Sequence, residues 1–178
     1  MAVRRTPAGG WEVALTPSST GELLTSPLLP AWLVDDPQVA GSADLDRDGH
    51  AEVLLRTFHG ATGDGYLALR WTSQTGLVVF AGDTPWELST VGSMSGPRSF
   101  ACLDALPDHP GREVVTVEST RQGPVSQEPT YAGAVTTWGF DARDRATALE
   151  RKPFSGLSTP ELGALFQGGP NTCGIDWR

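Results

Sequence analysis

The run Ala43-Asp44-Leu45-Asp46-Arg47-Asp48-Gly49-His50-Ala51-Glu52-Val53-Leu54-Leu55 changes character at Glu52. Before it, carboxylates stand at alternate positions and lead to a glycine; after it, the residues are aliphatic and suit a strand. Alternate side chains on a tightly curled loop point to the inside of the curl, and a hard cation such as calcium takes about six to eight oxygens at short range. The spacing Asp-x-Asp-x-Asp-Gly-x-x-Glu therefore predicts a calcium loop with Asp44, Asp46, Asp48 and Glu52 as side-chain ligands. His50 is expected to supply its main-chain carbonyl instead of its imidazole, and Gly49 permits the sharp turn before it. An EF-hand would place a bidentate glutamate where this chain has Leu55, and would flank the loop with helices, so that reading is excluded. Four carboxylates held this close without a cation would repel one another.

Outward from the loop, 52–58, 66–72 and 77–81 are β-rich runs separated by Gly60-Ala61-Thr62-Gly63-Asp64-Gly65 and by Ser73-Gln74-Thr75-Gly76. This pattern predicts a three-stranded antiparallel meander. The segment 102–115 repeats the order aspartate, loop, glycine, acid, aliphatic strand, and 114–118, 134–140 and 147–150 offer three more strands, which makes a repeat of about sixty residues. Near the N-terminus, Trp11, Val13 and Leu15 form one short alternating run and Trp32 and Val34 another. Ser158-Thr159-Pro160-Glu161 reads as the start of a helix of one or two turns ending at Gly168-Gly169. The expected organisation is a single β-domain over 1–178: N-terminal strands in 9–35, a first repeat with the calcium loop in 40–82, a degenerate second repeat in 100–150, and a tail in 151–178. Cys173 and Trp177 in that tail predict that it is pinned to the body.

The segment 43–55 resembles the calcium loop and following strand of FG-GAP repeats, also called VCBS or integrin α-type propeller repeats, and 104–115 resembles a degenerate second copy. The resemblance implies small antiparallel sheets, a calcium ion held by Asp44, Asp46, Asp48, Glu52 and the His50 carbonyl, and a secreted or surface-exposed protein. Glu52 replaces the aspartate more usual in that family, giving a longer reach. In the second copy Leu106 stands where a carboxylate should be and Pro107 stiffens the loop, leaving Asp104, Asp108 and Glu113 at irregular spacing, so no tight metal is expected there. A closed propeller uses about four to eight blades of roughly 40 to 50 residues. Two blade-like meanders are too short for a closed single-chain ring, which points to sheets packed in one compact all-β domain, or to an oligomer that completes the ring.

Composition agrees with this class. Gly (21) and Pro (14) approach a fifth of the 178 residues, as expected where tight turns join many short strands. A net charge of −8 repels nucleic-acid phosphates and anionic lipid headgroups. The longest apolar runs are strand-sized, so no membrane span is expected, and the basic start Met1–Arg5 is not followed by the apolar run of an export signal. Cys102 and Cys173 belong to no Cys-x-x-Cys or Cys/His cluster. They read either as two buried thiols or as one disulfide. The calcium loop favours the disulfide, because weak calcium sites belong in calcium-rich compartments, which are oxidising.

Little in the chain points to catalysis. His50, His59 and His109 sit in no His-x-x-x-His pattern and beside no evident nucleophile, and read as solvated loop residues. Gly92-Ser93-Met94-Ser95-Gly96 has methionine where a nucleophile elbow needs serine, and reads as a turn. The six tryptophans read chiefly as core. The expectation is a non-enzymatic calcium-binding module at the cell surface or outside the cell, with an unidentified protein or glycan ligand. A carbohydrate-binding module using an exposed Trp86 is the first alternative, and a hydrolase or lyase acting through Glu52, Glu113 or Glu118 the second.

Overall fold

The computed structural model describes residues 2–16, 21, 23–28, 36–45, 49–72, 76–79, 87–91, 96–103, 113–140, 145–166 and 173. In chain order the strands are β1 (Ala2–Arg5), β2 (Trp11–Leu15), β3 (Leu24–Leu28), β4 (Gln38–Ala43), β5 (Glu52–Gly60), β6 (Gly63–Thr72), β7 (Gly76–Val79), β8 (Glu87–Val91), β9 (Arg98–Leu103), β10 (Glu113–Gln122), β11 (Thr130–Phe140) and β12 (Ala146–Ser158), followed by helix α1 (Thr159–Phe166). They form an antiparallel three-stranded sheet, β1-β2-β3, and a nine-stranded sheet ordered β12-β11-β10-β9-β8-β6-β5-β4, with β7 also on β6. Among the described residues neither sheet closes into a barrel.

The meander expected after the acidic loop is present: β5 pairs antiparallel with β6, and β6 with β7. The second meander is also present, with β10 on β11 and β11 on β12. The two are joined edge to edge instead of lying in separate sheets. The far edge of β6 is shared lengthwise, β7 taking residues 69–72 and β8 taking residues 63–67. β8 then meets β9 through the pair Val91 and Arg98, and β9 pairs with β10 along its length.

The centre of the large sheet is buried on both faces, which explains why 52–55 and 65–69 read as continuous and not alternating runs. Side chains alternate across the sheet, so Leu54, Tyr66 and Ala68 enter one core with Leu88, Phe100, Cys102 and Val114. Val53, Leu55, Leu67 and Leu69 enter the other, where Val13, with Val3, Trp11 and Leu24 from the small sheet, covers them. Ala40 and Ala43 of β4 and Ala146 of β12 all reach the first core, so the sheet curls until both of its edge strands touch one apolar interior. Buried Tyr66 packs edge-on against Phe100 with ring centres 5.6 Å apart.

α1 starts where its capping signal predicts. Ser158 N–H and Oγ–H both donate to Glu161 Oε2, at 2.8 Å and 2.6 Å, which satisfies the helix entrance. Leu162 is buried on its inner face. The tail is pinned at Cys173, which is fully buried and bonded to Cys102 across 71 residues of sequence. Trp32, Val34 and Trp177 lie outside the described residues.

Candidate metal-binding loop

The loop is the connection of the β4–β5 hairpin. Ala43 and Glu52 stand directly opposite one another in the register, so residues 44–51 are clamped at their base by a strand pair. Glu52, the first residue of β5, shares the inner face with Ala43 and Leu54 and is fully buried. Its Oε2 accepts a hydrogen bond from Leu45 N–H at 2.6 Å. A buried carboxylate costs several kcal/mol unless donors or a cation meet it, so its place under an acidic loop is chemically specific.

At the loop entrance Asp44 Oδ2 accepts Gly49 N–H at 3.1 Å, a bond that curls the chain back on itself. Gly49 has φ +88°, a conformation that a residue with a Cβ adopts only under strain, which accounts for the glycine at this turn. Asp44 Oδ1 is buried and makes no hydrogen bond among the described residues. One oxygen of the first acid thus shapes the loop while the other is withdrawn from water with no hydrogen-bond partner among the described residues.

Asp44, His50 and Glu52 are described, with His50 exposed. Asp46 and Asp48 lie outside the described residues, as do Asp104 and Asp108 of the degenerate second loop and Trp86 of the carbohydrate reading. Among the described residues no group of three or more His, Cys, Asp or Glu side chains gathers as a metal site. The residues present fit the group that the spacing implies as far as they are described: a half-buried Asp44 at one end of a curled hairpin loop and a buried Glu52 at the other, with the turn between them set by glycine.

Toward the β5–β6 turn the sheet also carries a polar cluster, partly open to solvent, that the sequence reading missed. His59 is solvated, as expected, but it lies in a strand and not a loop: it stands in β5, opposite Asp64 of β6, with Nδ1 at 2.5 Å from Asp64 Oδ1. Tyr66 donates its hydroxyl to Asp64 Oδ2 at 3.1 Å. Burial, reinforced by this bond to Asp64, pushes the Tyr66 hydroxyl up to about 12, so it remains a donor at any physiological pH. Arg56 donates to Gln38 on β4. The available signal was positional: His59 and Asp64 flank the Gly60–Gly63 turn symmetrically, where a hairpin must bring them face to face.

Comparisons with protein-family models, with curated proteins and with solved structures return no match. Among the described residues no helix is long and apolar enough to cross a membrane.

Proposed function

We propose that this chain is a calcium-stabilised β-domain that serves as an interaction module outside the cell or at its surface, the ion having a structural role. The observation that carries the reading is the pair of acids at the two ends of the hairpin loop: Glu52, fully buried and holding Leu45 N–H, and the half-buried Asp44, whose Oδ1 is buried without a hydrogen bond among the described residues. Asp46, Asp48 and the His50 carbonyl complete the ligand set on the sequence spacing. The ion would neutralise the loop carboxylates and fix the hairpin. The Cys102–Cys173 disulfide supports an oxidising, calcium-rich compartment.

An ion that binds the folded loop and hardly binds the unfolded chain stabilises by RT ln(1 + [Ca²⁺]/Kd). At ~2 mM calcium and a Kd of ~0.1 mM this is roughly 1.8 kcal/mol. For a domain of this size the midpoint of thermal unfolding should fall by about 4 to 7 °C when EDTA strips the calcium-loaded protein. Asp46→Ala should abolish most of that difference. A melting curve that ignores chelation, or a full shift retained in Asp46→Ala, would count against the proposal.

A further inference from the structure

We infer that the calcium loop and the Cys102–Cys173 disulfide form one linked device, in which oxidation of the cysteines tightens calcium binding and calcium protects the disulfide. The inference rests on the calcium reading above and adds its regulation. Its basis is that Leu45, between the first two loop acids, is fully buried and belongs to the same core cluster as Cys102 and Cys173. Leu45 N–H is also the donor that holds Glu52 Oε2 at 2.6 Å. The residue that orients a ligand carboxylate through its backbone is therefore seated, through its side chain, in the apolar core that the disulfide ties together.

Interiors are packed at crystal density, so a core that loosens on one side does not hold its other side unchanged. Reduction by a dithiol splits the S–S bond, delivers two electrons and two protons to give two thiols, and leaves the reductant as a disulfide. It releases Cys173 from its covalent anchor and exposes the core at Leu45 to rearrangement. The seat of Leu45, and with it the position of Glu52, then costs free energy that calcium binding must supply. Linkage is reciprocal: whatever factor reduction takes from calcium affinity, calcium must return as resistance to reduction.

The experiment measures calcium affinity by calorimetry on the oxidised full chain and on the chain reduced under a dithiol, with circular dichroism recording the fold of both. The oxidised protein should bind calcium at least about fivefold more tightly than the reduced one. In the reciprocal arm, the thiol–disulfide equilibrium of the wild-type chain in a dithiol redox buffer should shift by the same factor between calcium and EDTA, a tenfold factor corresponding to about 30 mV. Leu45→Val changes no ligand oxygen and no sulfur, and should shrink that shift. An undiminished shift in Leu45→Val would show that coupling runs through global unfolding instead, and would overturn the route. Equal calcium affinity in the oxidised and reduced chains would overturn the linkage while leaving the calcium reading intact. An oxidised chain that binds no calcium would overturn both.

Discussion

The two meanders of the large sheet are built from similar strand counts yet occupy different physical environments. β5 and β6 are buried on both faces, with Leu54 and Ala68 in one core and Val53, Leu55, Leu67 and Leu69 in the other. β12, by contrast, is exposed along most of its 13 residues and, among the described residues, pairs on one side only, with β11. It carries the features by which an edge strand resists further pairing: Lys152, Pro153 and two irregularities in its register. The first meander thus packs on both faces, whereas the second contributes buried side chains from β10 and β11 and ends in the exposed β12; the Cys102–Cys173 bond sits on β9, beside β10. The 44–51 loop opens directly onto the first meander, so an ion bound there as proposed would act next to its most buried strands.

This contrast can be broken by mutation. Leu54→Ala and Leu69→Ala each empty a fully buried site and should cost about 2 to 5 kcal/mol in urea unfolding. Leu149→Ala on β12, where the side chain is 46% exposed, should stay within about 0.5 kcal/mol. Equal costs in both places would remove the distinction. Replacing both cysteines by serine should cost about 2 to 5 kcal/mol, on the order of 4 in the chain-entropy treatment for a closed loop this long. A loss under 1 kcal/mol would mean that the second meander holds itself without the bond.

Glycines sharpen the comparison at smaller magnitude. A Cβ on Gly133 of β11 would lie 1.9 Å from the Glu118 carbonyl oxygen of β10, so Gly133→Ala should destabilise by about 1 to 3 kcal/mol through strand displacement. Gly163 of α1 has open space around it, and Gly163→Ala should stabilise by about 0.4 to 1 kcal/mol. If both variants unfold at the same urea midpoint as the parent, the close approach of β10 and β11 is not present in solution.

The smallest effect concerns pH at the entrance of α1. The two hydrogen bonds from Ser158 lower the Glu161 carboxyl below its ordinary value. A carboxyl depressed in the folded state contributes fully above its unfolded value, and the contribution is lost as pH falls through the folded one. Amide exchange in the first turn of α1 should therefore quicken, relative to the β5–β6 amides, as pH drops below the usual carboxylate range. Glu161→Gln should flatten that difference, and a first turn indifferent to both changes would contradict the cap.

Much of this architecture is written locally. Val53, Leu54 and Leu55 after a run of alternate acids signal a loop that enters a strand, and Ser158 with Glu161 signals a helix start that α1 uses. The first antiparallel meander follows from turn chemistry at Gly60–Gly63. What is not local was not legible. β1 is a polar strand, Ala-Val-Arg-Arg, that exists because Val3 packs on the second core and Arg4 faces Glu12 directly across the register, where the two make an ion pair. β8 and β9 join the meanders through the pair of Val91 and Arg98, a contact set by the curl of the whole sheet and by no pattern within either strand. Of the candidate site, the spacing names the proposed ligands, but the burial of Glu52, with its bond from Leu45 N–H, required the sheet that surrounds it.

The most direct test of the central claim is equilibrium calcium binding to the oxidised chain, followed by calorimetry, with Asp44→Asn and Glu52→Gln run beside it. The account predicts one ion per chain with a Kd in the range of about 10⁻⁴ to 10⁻³ M, weakened at least about tenfold by either substitution. Absence of any binding heat up to ~10 mM calcium, well above that range, in a chain shown by circular dichroism to be folded, would contradict it.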